Sequence, residues 1–346
     1  MTTAIFNNPT RLSRSWYALM RSSRVKPGQA RSVDFFDYKV ALFRRQNGIL
    51  SALYAYCPHM GADLGLGKVA GESLVCPYHK WAFGGSGQCA RMAKKGLPNS
   101  ATTTHSFPVV EKYGFIWIFN GESPYPFPNL PWSDDDHFVI SMPASKVGCH
   151  PHVIGTNNPD FEHLETLHGF PIGEAPSQTS DGAHRLVYKY RIQLRPKNWL
   201  ERFFLMISGN RFDFQVTQDG ACTISMKIEA ARYSLKTLIS LTPTVQGTTV
   251  ARFFLFIPRG GALARLTRFN LLRLPLILTS VLKVQMQDLA IYNNIRFKLP
   301  VYEPTMVRHA QLIESLGAFH PADASRTASA APEALRDASS VNFPSI

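Results

Sequence analysis

The sequence has few cysteines, no long apolar run and no excess of acidic residues. Its 346 residues include five cysteines, too few for a small scaffold held together by disulfides. The leucine-rich stretch 274–282 is interrupted by Pro275 and Thr279, and it falls far short of the roughly 20 apolar residues that span a bilayer. Because residues 1–10 also lack an apolar signal segment, we expect a cytoplasmic protein with reduced cysteines.

The composition is that of a globular protein, and its basic net charge favours acidic partners. Apolar residues make up 45% of the chain and charged residues 18%, and the length allows two domains of ~100–200 residues each. A formal net charge of +13 favours an anionic surface or an acidic redox protein, while no basic and aromatic pattern indicates a nucleic-acid partner. The basic, leucine-rich segment 258–282 is a candidate for peripheral membrane contact, and a core or pocket-lining helix is the alternative.

Composition shifts divide the chain into four parts. Turn signals separate short strands as far as the apolar strand Gly114–Phe119, so residues 1–121 predict a small antiparallel β domain. A proline-rich connector follows at 122–134. Residues 135–316 mix strand and helix patterns and predict a second domain, an antiparallel sheet flanked by helices, which gives an α+β fold class. The stretch 317–346, rich in Ala, Ser and Pro, predicts a disordered tail.

The first motif with chemical meaning combines two cysteines with two histidines. Cys57 and His59 are separated by one residue, and Cys76 and His79 by two, each pair in a loop rich in glycine and proline. Two thiolates and two imidazoles suit a [2Fe–2S] centre in which each pair of like ligands holds one iron. The alternatives are a zinc site, whose knuckles usually space two cysteines by two to four residues, or four unrelated side chains.

The second motif spaces polar residues as Asn157-x-x-Asp160-x-x-His163-x₄-His168. Pro159–His168 predicts a helix on which Asp160 and His163 share a face. His163 and His168 are five residues apart, so a regular helix would place them ~140° apart, and a common metal requires a helix end or a distortion between them. This spacing is more natural for a site than for a structural helix.

Two imidazoles and one carboxylate form the ligand set of non-haem Fe(II) oxygenases, which leaves coordination positions open for O₂. Asp288 is our candidate for the carboxylate, because it lies on the apolar face of a predicted helix, Pro275–Lys298, where a charge needs a partner. An aspartate that pairs with an arginine or caps a helix is the alternative. The chain thus has candidate ligands for two iron centres.

Taken together, the two motifs resemble the Rieske non-haem iron oxygenase α-subunits over residues ~12 to ~310. The steroid branch, with its 3-ketosteroid 9α-hydroxylases and cholesterol 7-desaturases, is the most similar in appearance. Two departures are Met60, where many aromatic-ring dioxygenases have Arg, and Lys80, where most members have Gly.

The resemblance implies a Rieske domain at 1–121, a catalytic domain with a helix-grip fold at 135–316, and a homotrimer. Asp160 would bridge His163 of its own subunit and His79 of the neighbour, and Asn157 would share its catalytic role. The implied cofactors are the [2Fe–2S] cluster, mononuclear Fe(II) and O₂, with NAD(P)H acting through a ferredoxin, a ferredoxin reductase or both.

The function implied is that of a terminal oxygenase which hydroxylates a bulky lipophilic substrate such as a steroid or terpenoid. Desaturation, demethylation or oxidative cyclisation of a natural product is an alternative outcome of the same chemistry. An electron-transfer protein without oxygenase activity is the alternative from another class, which the length of the chain beyond the cluster motif disfavours.

Overall fold

The structure is a computed structural model, and it describes residues 4–92, 102–128, 130, 132, 137–196, 199, 202, 205–206, 209–230, 233–258 and 282–323. Within these ranges, none of the helices has the length and apolar character needed to cross a membrane. The chain forms two compact units, each assembled from several segments of sequence.

The smaller unit comprises Val25–Asp34, Tyr38–Phe107 and His320–Ile346. It is built mainly from two four-stranded sheets. The first sheet has the order β2-β3-β4-β9, with β2 Ala30–Phe35, β3 Tyr38–Arg44, β4 Leu50–Tyr54 and β9 Ser106–Phe107. The second has the order β5-β6-β7-β8, with β5 Lys68–Ala70, β6 Ser73–Val75, β7 Ala82–Phe83 and β8 Cys89–Arg91.

The core of this unit places two cysteines among apolar side chains. Leu53, Leu74 and Phe83 are fully buried, and Cys57 and Cys76 belong to the same cluster. Strand β3 reads as an almost continuous apolar run, as expected of a strand covered on both faces. The apolar core therefore fixes the backbone from which both thiols project.

The larger unit comprises Met1–Arg24, Phe35–Asp37 and Pro108–Phe319. A three-stranded sheet in the order β1-β11-β10 has the bounds β1 Trp16–Arg21, β10 Val109–Lys112 and β11 Phe115–Phe119. An eight-stranded antiparallel sheet runs β12-β19-β18-β17-β16-β15-β14, with β13 also paired to β19. Its bounds are β12 His137–Ser141, β13 Ser145–Val147, β14 Ser177–Ser180, β15 Arg185–Gln193, β16 Arg211–Asp219, β17 Thr223–Ala230, β18 Tyr233–Pro243 and β19 Thr249–Pro258.

Aromatic side chains join the two sheets of the larger unit. Trp16, Trp117 and Phe254 are buried in one cluster, and the rings of Trp117 and Phe254 have centroids 5.4 Å apart. The backbone N–H of Ala18 donates to the Ser240 hydroxyl at 3.0 Å, which links β1 to β18. Aromatic side chains thus pack between the two sheets, and a hydrogen bond also joins them.

Helices of the larger unit whose bounds lie in the described ranges include four that flank the sheet or the candidate site. They are α1 Pro151–Gly155, α2 Glu162–Thr166, α3 at 282–292 and α4 Pro304–Leu316. Helix α4 buries Met306, His309 and Ile313, and the Tyr188 hydroxyl of β15 hydrogen-bonds to the Nδ1 atom of His309 at 3.0 Å. The α+β fold class expected from the sequence is therefore confirmed.

The structure differs from the sequence-based division in two places. Strands β1 and β11, which we assigned to the first domain, pair with each other inside the larger unit. The expected disorder from residue 317 onwards is wrong for 317–323, because Gly317 accepts a hydrogen bond from the backbone of Arg14 and Phe319 donates one to Leu12. The rest of that stretch, 324–346, lies outside the described residues.

Two further expectations fall partly outside the described residues. Of the segment 258–282, residues 259–281 are not described, so membrane contact there stays a prediction. The helix expected at Pro275–Lys298 is helical at 282–292 and then ends in a turn at Asn293 and Asn294. The candidate ligand Asp288 therefore lies within a helix, as expected.

Buried histidines make the stability of the larger unit depend on pH. Burial lowers the pKa of His150 and of His309 from 6.5 to about 4. Between pH 6.5 and 4 the unfolded chain binds protons that the folded chain excludes, so the free energy of unfolding falls as the pH falls through that window. For His309 alone we expect a loss on the order of 1–2 kcal/mol between pH 7 and pH 5, measured by urea unfolding.

His309→Gln removes the titrating group while keeping a polar side chain, so this variant should show a smaller loss than wild type over the same interval. The difference between the two slopes separates His309 from every other acid-sensitive group. Equal slopes would contradict the prediction.

Candidate metal centres

Two loops of the smaller unit present the C-x-H and C-x-x-H motifs. Each loop is closed by backbone hydrogen bonds, from Cys57 N to Ala62 O at 2.9 Å and from Cys76 N to Trp81 O at 2.8 Å. Gly61, at φ +72°, donates to the carbonyl of Cys57, which tightens the first turn. Both cysteines are almost fully buried.

The imidazoles of the same loops lie side by side nearer the surface. The ring centroids of His59 and His79 are 4.6 Å apart, and His79 is half-buried whereas His59 is exposed. The indole of Trp81 stacks on His59 with centroids 4.5 Å apart and planes within 8°, which restricts the rotation of that ring. The site therefore presents two thiols from the core and two imidazoles at the surface.

The electrostatics of the thiols fit a bound metal cluster. The pKa of Cys57 is raised to about 11, mainly by burial and also by Cys76, while hydrogen bonds with the backbone of His59 and Met60 oppose the rise. A buried thiolate needs a positive partner, and metal binding supplies one while displacing the thiol proton. The four side chains thus match the mixed thiolate and imidazole donor set of a [2Fe–2S] cluster.

A second group of donors lies in the larger unit. One ligand atom each from His163, His168 and Asp288 can be chosen so that all three atoms lie within 4.8 Å of one another. The rings of the two histidines have centroids 5.3 Å apart and are inclined by 80°. The structure therefore brings together the two histidines and the aspartate that sequence analysis selected.

The contact between His168 and Asp288 tests whether a metal ion fits. His168 Nε2 and Asp288 Oδ1 are 3.1 Å apart, close enough for an ion pair, yet both atoms are buried and neither makes a hydrogen bond to the described residues. Burial lowers the pKa of His168, but Asp288 and Gln287 raise it by more, so its net shift is upward. The pocket therefore favours positive charge between these atoms, and a divalent cation fits it.

The end of α2 explains the histidine spacing. The helix ends at Thr166, and the N–H of His168 contacts the carbonyl of His163 at 3.4 Å, one residue wider than an α-helical turn. Gly169, at φ +69°, then turns the chain away. The helix end that the five-residue spacing requires therefore lies between the two histidines.

Asp160 lies two residues before α2 and faces His163. Its Oδ1 atom accepts a hydrogen bond from the His163 backbone at 3.1 Å and lies 3.7 Å from the His163 Nδ1 atom. Burial raises the pKa of Asp160, and hydrogen bonds with His163 outweigh that effect, so the net shift is downward. Asp160 is thus ionised near neutral pH, and its negative charge lies beside the His163 ring.

The two asparagines that precede Asp160 have different surroundings. The helix expected at Pro159–His168 is helical only from Glu162. Asn158, which precedes this helix, donates a hydrogen bond to the Gln218 side chain at 2.9 Å. Asn157 lines a cavity of about 360 Å³ together with Asp160. Its other walls include both charged and apolar side chains, among them Tyr292, Ile295, Arg296, Lys298, Glu303 and Met306.

Sequence reasoning missed Gln287. Its side chain contacts His168, with Oε1 3.1 Å from Nδ1, and donates through Nε2 to the carbonyl of Leu167 at 3.3 Å. Helical periodicity places Gln287 about 100° from Asp288, so no sequence pattern groups the two residues. Only the packing of α3 against the end of α2 brings them to the same histidine.

Comparisons with known proteins agree with these two centres. Residues 15–106 match the family model of the Rieske [2Fe-2S] domain. The 3-ketosteroid-9-alpha-monooxygenase oxygenase component of Rhodococcus rhodochrous is 34% identical over 125 residues, which cover 35% of this chain and 33% of that protein. Cholesterol 7-desaturase nvd of Drosophila melanogaster is 31% identical over 171 residues, which cover 47% and 40%.

A third relative and the solved structures extend the similarity. The 4beta-methylsterol monooxygenase of Methylococcus capsulatus is 34% identical over 164 residues, which cover 44% of each chain. The matched segments thus span less than half of these curated relatives. Dicamba monooxygenase bound to dicamba matches 88% of this chain and 97% of its own with a TM-score of 0.59 at 20% identity. NdmB of Pseudomonas putida CBB5 has a TM-score of 0.61 at 16% identity, covering 86% and 89%.

These findings define the class of protein. The chain carries a Rieske [2Fe–2S] domain at residues 15–106, and its overall fold is shared with monooxygenases of known structure. The resemblance to the Rieske non-haem iron oxygenases that the motifs indicate is therefore confirmed.

Removal of the carboxylate at 288 should empty one centre and spare the other. We expect Asp288→Ala to lower the iron content of anaerobically purified protein from about three per chain to about two, because one of three protein ligands is lost while all cluster ligands remain. Iron and acid-labile sulfide analysis measures this change. Asp213→Ala, an exposed aspartate on β16, is the matched control.

Unchanged iron content in Asp288→Ala, or loss of sulfide along with iron, would contradict the assignment of Asp288 to a separate mononuclear site.

Proposed function

We propose that this protein is a terminal oxygenase that uses a Rieske cluster and mononuclear Fe(II) to oxidise a bulky lipophilic substrate with O₂. The convergence of His163, His168 and Asp288, in a chain that carries a Rieske domain, supports this most directly. A plain electron carrier would need no second donor set of this kind. The proposal covers hydroxylation first, with desaturation or demethylation as other outcomes of the same site.

Each set of side chains has a defined task. Cys57 and Cys76 would hold one iron of the cluster inside the core, and His59 and His79 would hold the other at the surface. The second donor set consists of two imidazoles and one carboxylate, which suits a divalent iron. When bound, Fe(II) with three protein ligands supplies open positions for O₂, and the cluster supplies single electrons.

Asp160 would orient imidazoles at both centres. It already contacts His163, and in a head-to-tail homotrimer its second oxygen would accept a hydrogen bond from His79 of a second copy. Both centres lie beside apolar side chains that a second copy would cover. Met60, Leu66 and Tyr78 are 64%, 72% and 59% exposed near the cluster loops, and Val301 and Tyr302 are 79% and 81% exposed near the cavity. Such apolar exposure favours an interface.

The relatives support the substrate class. Their names include a steroid, cholesterol and a methylsterol, and both monooxygenases and desaturases are among them. Among the mixed walls of the cavity beside the site, the apolar side chains of Ile291, Tyr292 and Met306 suit a lipophilic molecule. A ferredoxin, a ferredoxin reductase or both would supply electrons from NAD(P)H. Five free cysteines agree with a reducing cytoplasm.

A reconstituted assay tests the oxygenase proposal. Purified protein with iron at both centres is supplied with NADH, a surrogate ferredoxin and reductase, ¹⁸O₂ and a panel of sterols, steroids and terpenoids. We expect at least one substrate to gain a labelled hydroxyl group or a new double bond, detected by mass spectrometry. Iron content of about two per chain in a fully loaded preparation, with no product, would identify an electron carrier instead.

Asp160→Asn tests electron delivery between the centres. The variant keeps the shape of the side chain but loses the charge that orients the imidazoles, while the ligands of both centres remain. We expect a cluster that is reduced normally, mononuclear iron that stays bound, and little product. Stopped-flow absorbance of the reduced cluster, mixed with O₂ and substrate, measures reoxidation.

Reoxidation and product formation at wild-type rates would exclude the bridging role and leave Asp160 as a local support for His163. Asp181→Asn, at an exposed position beside β15, is the matched control and should behave as wild type.

A further inference from the structure

The Gln287 side chain connects the end of α2 to α3. Its amide nitrogen donates to the carbonyl of Leu167 at 3.3 Å, and its amide oxygen lies 3.1 Å from the Nδ1 atom of His168. One carboxamide therefore contacts two consecutive residues of the segment that leaves α2. The His168 side chain is only 1% exposed, so water does not compete for these contacts.

The orientation of the carboxamide fixes the tautomer of His168. A backbone carbonyl only accepts hydrogen bonds, so the NH₂ group of Gln287 must face Leu167. The amide oxygen then faces His168 and needs a donor, which places the proton on Nδ1. Nε2 consequently directs its lone pair toward Asp288 Oδ1, 3.1 Å away.

We propose that Gln287 is a positioning residue that holds His168 in the tautomer and orientation needed for the mononuclear metal. This inference rests on the proposed function, because it assigns a role within the proposed iron site. A metal-bound histidine usually donates its other ring N–H to a carboxylate, carbonyl or water, and Gln287 provides the acceptor here.

The contacts distinguish Gln287 from the nearby Gln285. Gln285 is half-buried on the same helix and lies three residues, about one turn, before Asp288. The Gln285 side chain makes no hydrogen bond to any residue that the structure describes, whereas the Gln287 side chain makes two contacts at the site. The residue adjacent to the ligand, and not the one a turn earlier, therefore acts on His168.

A neutral acceptor also keeps the charge of the site low. Two neutral imidazoles and one carboxylate leave a single positive charge on bound Fe(II). A glutamate at 287 would retain the acceptor and add a negative charge, which makes His168 a stronger donor to the metal. Glutamine thus orients the ring without changing the net charge.

Metal affinity measures this role without reference to turnover. Full-length protein with an intact cluster and a depleted mononuclear site is dialysed anaerobically against Fe(II), and bound metal is counted. We expect Gln287→Leu to bind Fe(II) about 10- to 100-fold more weakly than wild type, Gln287→Glu to recover most of the affinity, and Gln285→Leu to match wild type. Nitric oxide added to the Fe(II) forms should give an altered EPR signal only in the Gln287 variants.

The outcomes separate this inference from the proposed function. Wild type that binds no Fe(II) at this site would overturn both. Wild-type binding combined with unchanged affinity in Gln287→Leu, or equal losses in Gln285→Leu, would overturn the role of Gln287 alone. Should Gln287→Leu fail to fold, Gln287→Asn retains polarity but shortens the reach by one carbon. It should also bind weakly, and full affinity in a folded Gln287→Asn would overturn the inference.

Discussion

The buried contact between His168 and Asp288 is the constraint on which the second metal centre depends. A carboxylate oxygen and an imidazole nitrogen 3.1 Å apart, both shielded from water and without hydrogen bonds among the described residues, are unfavourable unless positive charge lies between them. That requirement couples two segments distant in sequence, the end of α2 and the middle of α3. Metal binding would therefore stabilise the local fold as well as create a reactive centre.

The cluster loops use a different balance of forces. Cys57 and Cys76 are fixed by the apolar core, whereas the imidazoles near the surface rely on ring contacts such as Trp81 against His59. Lys80 follows the second cluster histidine and has φ +60°. This left-handed conformation is unfavourable by about 1–2 kcal/mol for any residue other than glycine. Its amine donates to the carbonyl of Pro77 at 2.6 Å, which offsets part of that cost and places a positive charge at the second cluster loop.

Local sequence patterns predicted the local features and missed those created by tertiary packing. Short-range periodicity predicts strand β11, and helix geometry predicts a helix end between the two histidines, so both features could be predicted from the sequence. The pairing of β1 with β11 joins residues about a hundred positions apart, and the hydrogen bond from Phe319 to Leu12 joins residues about three hundred positions apart. The contact of Gln287 with His168 is likewise a feature of tertiary packing, because it forms only where α3 packs against the end of α2.

The five-residue spacing of the histidines has a physical consequence beyond recognition of the motif. A spacing of three or four would place both rings on one face of an intact helix, and the site would tolerate a long, regular α2. A spacing of five demands that the helix stop, and Gly169 and the wide turn at His168 provide that stop. The carbonyl of Leu167, freed at the helix end, becomes the acceptor that orients Gln287. The end of the helix therefore supplies both the approach of the second histidine and the hydrogen bond that fixes its tautomer.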